Sequence, residues 1–171
     1  METKTRIKFD VTAESEKRFT IKRSDFQLAV KSGDIKIYSL LQLEQKWIIE
    51  GDKYNGRIRK TVDMMLKEKN KTPKFEHTVK HHIKKGMDYE ITTDITLQDY
   101  NLINNLYKEK EIQSKLRIYV KDCSGKYDKY IITVDCPDDN QDICWVEFES
   151  NTVNVENEKF IKPSWIKEIN E

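Results

Sequence analysis

The stretch 35–49, IKIYSLLQLEQKWII, carries the longest run of alternating side chains in the chain. Alternation at period two puts successive residues on opposite faces of a strand. Gln42, Glu44 and Lys46 therefore share one face, and Leu41, Leu43 and Trp47 the more apolar one. Working outward, the same pattern returns at 57–65 (RIRKTVDMM), 74–83 (KFEHTVKHHI), 87–95 (MDYEITTDI), 114–121 (SKLRIYVK), 129–136 (KYIITVDC) and 143–150 (ICWVEFES). Polar turns at 51–53, 67–70, 84–86 and 124–126 separate these runs. Thr96 followed by Asp99 reads as a cap with an acid in the first turn, and Tyr100, Ile103, Leu106 and Tyr107 recur at helical spacing. One helix is expected over 96–109, with weaker signals for a short helix near 24–31 and a turn near 153–160. Many antiparallel strands and one mid-chain helix predict an α+β, mainly β domain or a closed barrel.

The 171 residues suffice for one domain with a real core. Lys and Arg total 31 and Asp and Glu 30, so 36% of the chain is charged while the formal net charge is only +1. That balance excludes wholesale electrostatic nucleic-acid binding and an acidic disordered tail. With 37% hydrophobic residues the core must be lean. No apolar run is long enough to span a bilayer, and the first twenty residues hold no apolar signal-peptide core, so a soluble, cytoplasmic protein without membrane association is expected. Cys123, Cys136 and Cys144 lack metal-ligand spacing and are expected to be free thiols.

The charges are sorted by strand. Arg57 and Arg59 share a face, as do Lys115 and Arg117, while Asp88 with Glu90 and Glu147 with Glu149 form acidic pairs. Alternation alone describes an ordinary solvated sheet face. Such a face, however, usually mixes signs within a strand to limit repulsion. Faces segregated by sign imply a shared ligand. If the sheet closes with these faces inward, the cations surround anionic oxygens and the paired carboxylates hold a divalent metal such as Mg²⁺, which prefers hard oxygen ligands.

The order of motifs carries a resemblance. QLEQKW at 42–47, RIR at 57–59, Lys80 within HTVK, DYEITTDIT at 88–96, KLR at 115–117, ITVD at 132–135, WVEFES at 145–150 and PSWI at 163–166 together resemble the CYTH family of triphosphate tunnel metalloenzymes. Any one of them occurs by chance in a charged protein; eight in order are much more specific. The resemblance implies an eight-stranded antiparallel β-barrel over 36–171 with a few flanking helices, 1–35 being an N-terminal extension packed upon it. It implies Mg²⁺ or Mn²⁺ as cofactor, with Glu44, Glu147, Glu149 and Asp135 as metal ligands. Lys46, Arg57, Arg59, Lys80, Lys115 and Arg117 are implied as phosphate contacts, and Glu44, Lys46 and Glu90 as catalytic. The expected activity is hydrolysis of inorganic tripolyphosphate or of a nucleoside or organic triphosphate.

Where the family's ExExK begins with Glu, this chain has Gln42, a neutral amide where a carboxylate would hold a hard cation. A protein that binds or sequesters a phosphorylated nucleotide without turnover is the alternative, with a class IV adenylate cyclase as a further family activity. Nucleic acid enters only as an RNA 5′ triphosphate, and a homodimer is a further expectation. His77, His81 and His82 are expected to be solvated, and Trp47, Trp145 and Trp165 to pack the outside of the barrel against helices. Tyr89, Tyr119 and Tyr130 lie in strands, with no face assigned to them.

Overall fold

In a computed structural model the chain forms the expected closed barrel of eight antiparallel strands, and the structure describes residues 9–85, 87–151 and 159–169. The strands are β1 (Phe9–Lys22), β2 (Ile35–Glu50), β3 (Tyr54–Asp63), β4 (Lys74–Lys84), β5 (Met87–Asp94), β6 (Gln113–Asp122), β7 (Ile131–Pro137) and β8 (Ile143–Ser150). Two helices flank them, α1 (Arg23–Ser32) between β1 and β2, and α2 (Leu97–Leu106) between β5 and β6. Around the ring the order is β1-β5-β4-β3-β2-β6-β7-β8, with β8 closing onto β1. The turn expected near 153–160 falls mostly outside the described residues.

One expectation is corrected. Within the supposed N-terminal extension, residues 9–22 form β1, a stave of the barrel paired to β5 on one side and β8 on the other. Removing it would open the ring.

Eight strands leave an interior wide enough for side chains or one small ligand. Here that interior is polar, and the hydrophobic core lies outside it. Phe19 and Ile21 of β1, Ile118 and Val120 of β6, Ile132 and Val134 of β7 and Val146 and Phe148 of β8 point outward into an apolar layer. Phe26 and Ala29 of α1 and Trp165 and Ile166 of the C-terminal segment cover that layer. The Trp165 indole donates to Asp122 Oδ2 at 2.8 Å, which satisfies its buried N–H and holds the segment against the end of β6. α1 ends at Gly33, whose φ of 83° is the left-handed conformation that lets its N–H reach the Ala29 and Val30 carbonyls. Thr96 caps α2 as its sequence predicts, accepting from the Asp99 N–H. Among the described residues no helix is long and apolar enough to cross a membrane.

Candidate functional site

Register carries every other residue of each strand into one tunnel of about 760 Å³. β1 supplies Glu14, Glu16 and Arg18, and β8 beside it supplies Glu147 and Glu149, with Glu16 opposite Glu149 and Arg18 opposite Glu147. β3 supplies Arg57 and Arg59, and β4 Lys80. β5 supplies Asp88 and Glu90, β6 Lys115 and Arg117, and β7 Asp135. In the ring order β3 and β8 are four strands apart in either direction. The Arg57/Arg59 wall therefore faces the Glu147/Glu149 wall across the lumen.

Most tunnel cations are matched by carboxylates. Arg117 grips Asp135 with two bonds of 2.7 Å and reaches Glu147 at 3.2 Å. Lys115 also donates to Asp135, and Arg18 to Glu147. Lys80 lies 3.0 Å from Glu90 and 3.3 Å from Glu14, and Arg57 3.6 Å from Glu90. Burial would push Asp135 upward, but its bonds to Arg117 and its attraction to Arg117 and Lys115 hold it at about 2. Burial opposes ionisation of Glu147 and Glu90 too, yet their cationic partners hold both below the usual carboxylate range.

Two places are left out of balance, one of each sign. Arg59 donates to the neutral Gln45 Oε1 at 3.0 Å, and burial together with the charges of Arg57 and Arg117 lowers it to about 9. The Nε atoms of Arg57 and Arg59 are buried with no hydrogen-bond partner. Facing them, burial and then repulsion from Glu14 push Glu149 up to about 7. Glu14 and Glu16 are raised as well, burial first and the nearby carboxylates Glu90 and Glu147 adding to it. Around the tunnel and its mouth, ten carboxylates meet six cations among the described lining residues.

Of the residues expected in the site, Arg57, Arg59, Lys80, Glu90, Lys115, Arg117, Asp135, Glu147 and Glu149 line this tunnel. Glu44 and Lys46 do not. On β2 it is Gln45 and Trp47 that face inward, and a one-residue step along a strand reverses the face. Glu44 points outward to Lys60 at 3.2 Å. Lys46 is buried beneath α2, where its Nζ donates to the carbonyls of Asn104 at 3.3 Å and Tyr107 at 2.9 Å and so caps the helix C-terminus. Gln42 does not line the tunnel either; it donates to Asp138 at the tunnel mouth, at 3.0 Å. The Glu-x-Glu-x-cation spacing instead stands at Glu14-x-Glu16-x-Arg18 of β1. That spacing was the available signal for the three residues the motif reading missed.

The aromatic expectations divide. Trp165 packs outside, but Trp47 and Trp145 line the tunnel, and the Arg57 guanidinium sits 5.3 Å over the Trp47 ring. A tryptophan facing a charged lumen finds in a cation over its face a partner that apolar packing does not offer. His81 stacks on Tyr54 outside the barrel with ring centroids 4.6 Å apart. His82 pairs with Asp88 at the rim, at 2.9 Å. Tyr119 lines the tunnel.

No family model and no curated protein matches the sequence. Solved structures do match in three dimensions. The PH1012 protein of Pyrococcus horikoshii OT3 superposes with a TM-score of 0.58 at 18% identity, over 84% of this chain and 82% of that one. A conserved hypothetical protein of Pyrococcus furiosus gives 0.55 at 19% identity over 78% and 77%. A Bacillus halodurans protein proposed as an adenylate cyclase gives 0.55 at 17% identity over 85% and 84%. The likeness is one of fold. It agrees with the tunnel barrel that the motif order implied.

Proposed function

We propose that the tunnel binds the triphosphate group of a small molecule together with a divalent cation and hydrolyses it. The observation that carries this reading is the buried guanidinium pair Arg57 and Arg59, whose Nε donors lack partners inside the tunnel. Guanidinium groups match phosphate oxygens bidentately, and a buried donor without an acceptor is costly until a ligand supplies one. Lys80, Lys115, Arg117 and Arg18 add point and forked charge along the same lumen.

The donor chemistry also fits Mg²⁺ or Mn²⁺. Glu14, Glu16, Glu147 and Glu149 are hard oxygen donors on two neighbouring strands, and three of the four are raised by burial and mutual repulsion that a cation would relieve. As they stand, no three such side chains among the described residues are gathered to ligating distance, so the fit is one of charge and ligand type. When bound, the metal would neutralise phosphoryl oxygens and orient water. The chain's own part is to hold the phosphates with Arg57, Arg59, Lys80 and Arg117 and to exclude bulk water. The inactive-binder alternative rested on Gln42, which lies outside the tunnel's phosphate-facing rows, so the reason for it lapses.

The test is product analysis. With Mg²⁺ or Mn²⁺, phosphate should be released from tripolyphosphate or a nucleoside triphosphate, and Arg59→Ala and Glu147→Gln should reduce release at least 100-fold while the far-UV spectrum is retained. Cyclic AMP with pyrophosphate would assign the cyclase reaction instead. No product from any triphosphate with either metal would reject the enzyme reading.

A further inference from the structure

Outside the tunnel, the outer faces of β7 and β8 bring two cysteines together. Asp135 lies opposite Trp145 and Val134 opposite Val146; one step further in the same register sets Cys136 beside Cys144. Their Sγ atoms are 3.0 Å apart, closer than carbon atoms pack at about 3.5–4.0 Å. Both are free and buried, Cys136 at 5% exposure and Cys144 at 0%, within the apolar layer under α1 and the C-terminal segment. Directly opposed residues of paired strands hold their Cβ atoms about 4.5–5.5 Å apart, and a disulfide needs about 3.5–4.5 Å, so closure asks for little backbone movement.

The surroundings give such a bond something to fix. Residues 136–144 form the tip of the β7–β8 hairpin, and Pro137, Asp138 and Asp139 stand at the tunnel mouth. Arg23, at the start of α1, already clamps that tip: its Nη2 donates to the Pro137 and Asn140 carbonyls, each at 3.0 Å, and its Nη1 to Gln141 Oε1 at 2.5 Å. Asp135 and Trp145, chain neighbours of the two thiols, face the lumen from the opposite side of the sheet. A covalent link at this point would therefore tie the mouth of the tunnel to its wall.

We propose that Cys136 and Cys144 are a reversible disulfide site that staples the β7–β8 hairpin at the tunnel mouth. The balance with a peroxide is complete: two thiols lose two protons and two electrons, one S–S bond forms as the O–O bond breaks, and hydrogen peroxide leaves as two waters. A dithiol reductant reverses the bond by exchange. The oxidant gains access through local opening of the hairpin tip, which leaves the other staves paired.

The test uses the full chain with Cys123→Ser, because Cys123 is an exposed thiol that would otherwise react. Folded protein treated with hydrogen peroxide should lose about 2 mass units, the two thiol hydrogens. Proteolysis should then yield a peptide joined through Cys136 and Cys144, and dithiothreitol should restore the original mass. The same loss should be absent in Cys144→Ser and in Cys144→Ala, the second keeping the site apolar if the first folds poorly. In the oxidised form, amide exchange across 137–143 should slow at least tenfold. Two titratable thiols surviving oxidation of the folded protein, or oxidation that stops at sulfenic or sulfinic acid, would overturn the site. Unchanged exchange at the hairpin would overturn the staple. None of these readouts depends on the activity of the tunnel.

Discussion

Replacing Glu149 by Gln should make the protein without metal more stable at pH 8 and leave it nearly unchanged at pH 4. Glu149 titrates near 7 in the fold against an ordinary 4.5, burial being the first cause and Glu14 the next. The folded state therefore keeps a proton on this carboxyl that the unfolded chain releases. Below pH 4.5 both states are protonated and there is no penalty. Between pH 4.5 and 7 stability falls by about 1.4 kcal/mol per pH unit, and above 7 the whole cost remains. Integrated over that window and discounted for water in the open tunnel, the penalty is about 2–3 kcal/mol. Gln has the same shape without the ionisation, so the difference between variant and wild type should rise from near zero at pH 4 to about 2–3 kcal/mol at pH 8. Asp135, Glu147 and Glu90 titrate with the opposite sign in both proteins, so the difference largely cancels them. Urea unfolding at half-unit pH steps in the presence of a chelator measures it. At pH 8, saturating Mg²⁺ should then stabilise the wild type more than the variant. Parallel stability curves from pH 4 to 8 would refute the claim that this carboxylate is buried against uncompensated negative charge.

Asp135→Asn strips one charged acceptor from both Arg117 and Lys115 in the tunnel wall; it should destabilise the fold by about 3–5 kcal/mol in urea unfolding at pH 7, and a loss under 1 would remove the pair from the stability argument. Lys46→Met should lower stability by about 1–2 kcal/mol and increase amide exchange at the end of α2, because two carbonyls lose their donor, while triphosphate turnover stays within twofold. A hundredfold loss of turnover in a folded Lys46→Met protein would return that residue to the chemistry. Trp165→Phe leaves the Asp122 carboxylate without its indole donor and should cost about 1–3 kcal/mol, read as a lowered urea midpoint.

The barrel was legible because seven strands alternate, and WVEFES shows why: Val146 and Phe148 mark the outer layer while Glu147 and Glu149 mark the lumen. β1 was not legible as a strand because its apolar row, Phe9, Val11, Ala13, Phe19 and Ile21, is interrupted by Ser15 and Lys17, which stand between the inward Glu14, Glu16 and Arg18. Two polar residues in the middle of the apolar row split the alternation into stretches too short to stand out at period two. The same loss of contrast misled the reading of β2. With Leu43, Gln45 and Trp47 turned to the lumen side, its charged row lies outside, where Lys46 serves a helix end and Glu44 a lysine. Charge was taken as the sign of the tunnel face, and on this one strand the inward face is the neutral one. Trp47 and Trp145 were misjudged for a related reason: large apolar rings were assigned to the outer layer, whereas the lumen takes these two, with the Arg57 guanidinium over the Trp47 face.

That inversion bears on what the tunnel can hold. Its paired cations, Lys80 and Arg117 among them, already hold carboxylates, so a phosphate on them shares an existing ion pair and adds less than one on Arg59. The unbalanced groups are on opposite walls, Arg59 with unpartnered Nε on β3 and raised Glu149 on β8, four strands away in either direction. A lone phosphate would satisfy the first and worsen the second, because it brings negative charge toward carboxylates already in excess. A lone cation would do the reverse. A polyphosphate carrying a divalent cation on one flank presents each wall with the charge it lacks. If the tunnel acts as proposed, this arrangement would favour the complex over either component, and affinity for the polyanion should collapse when the metal is chelated.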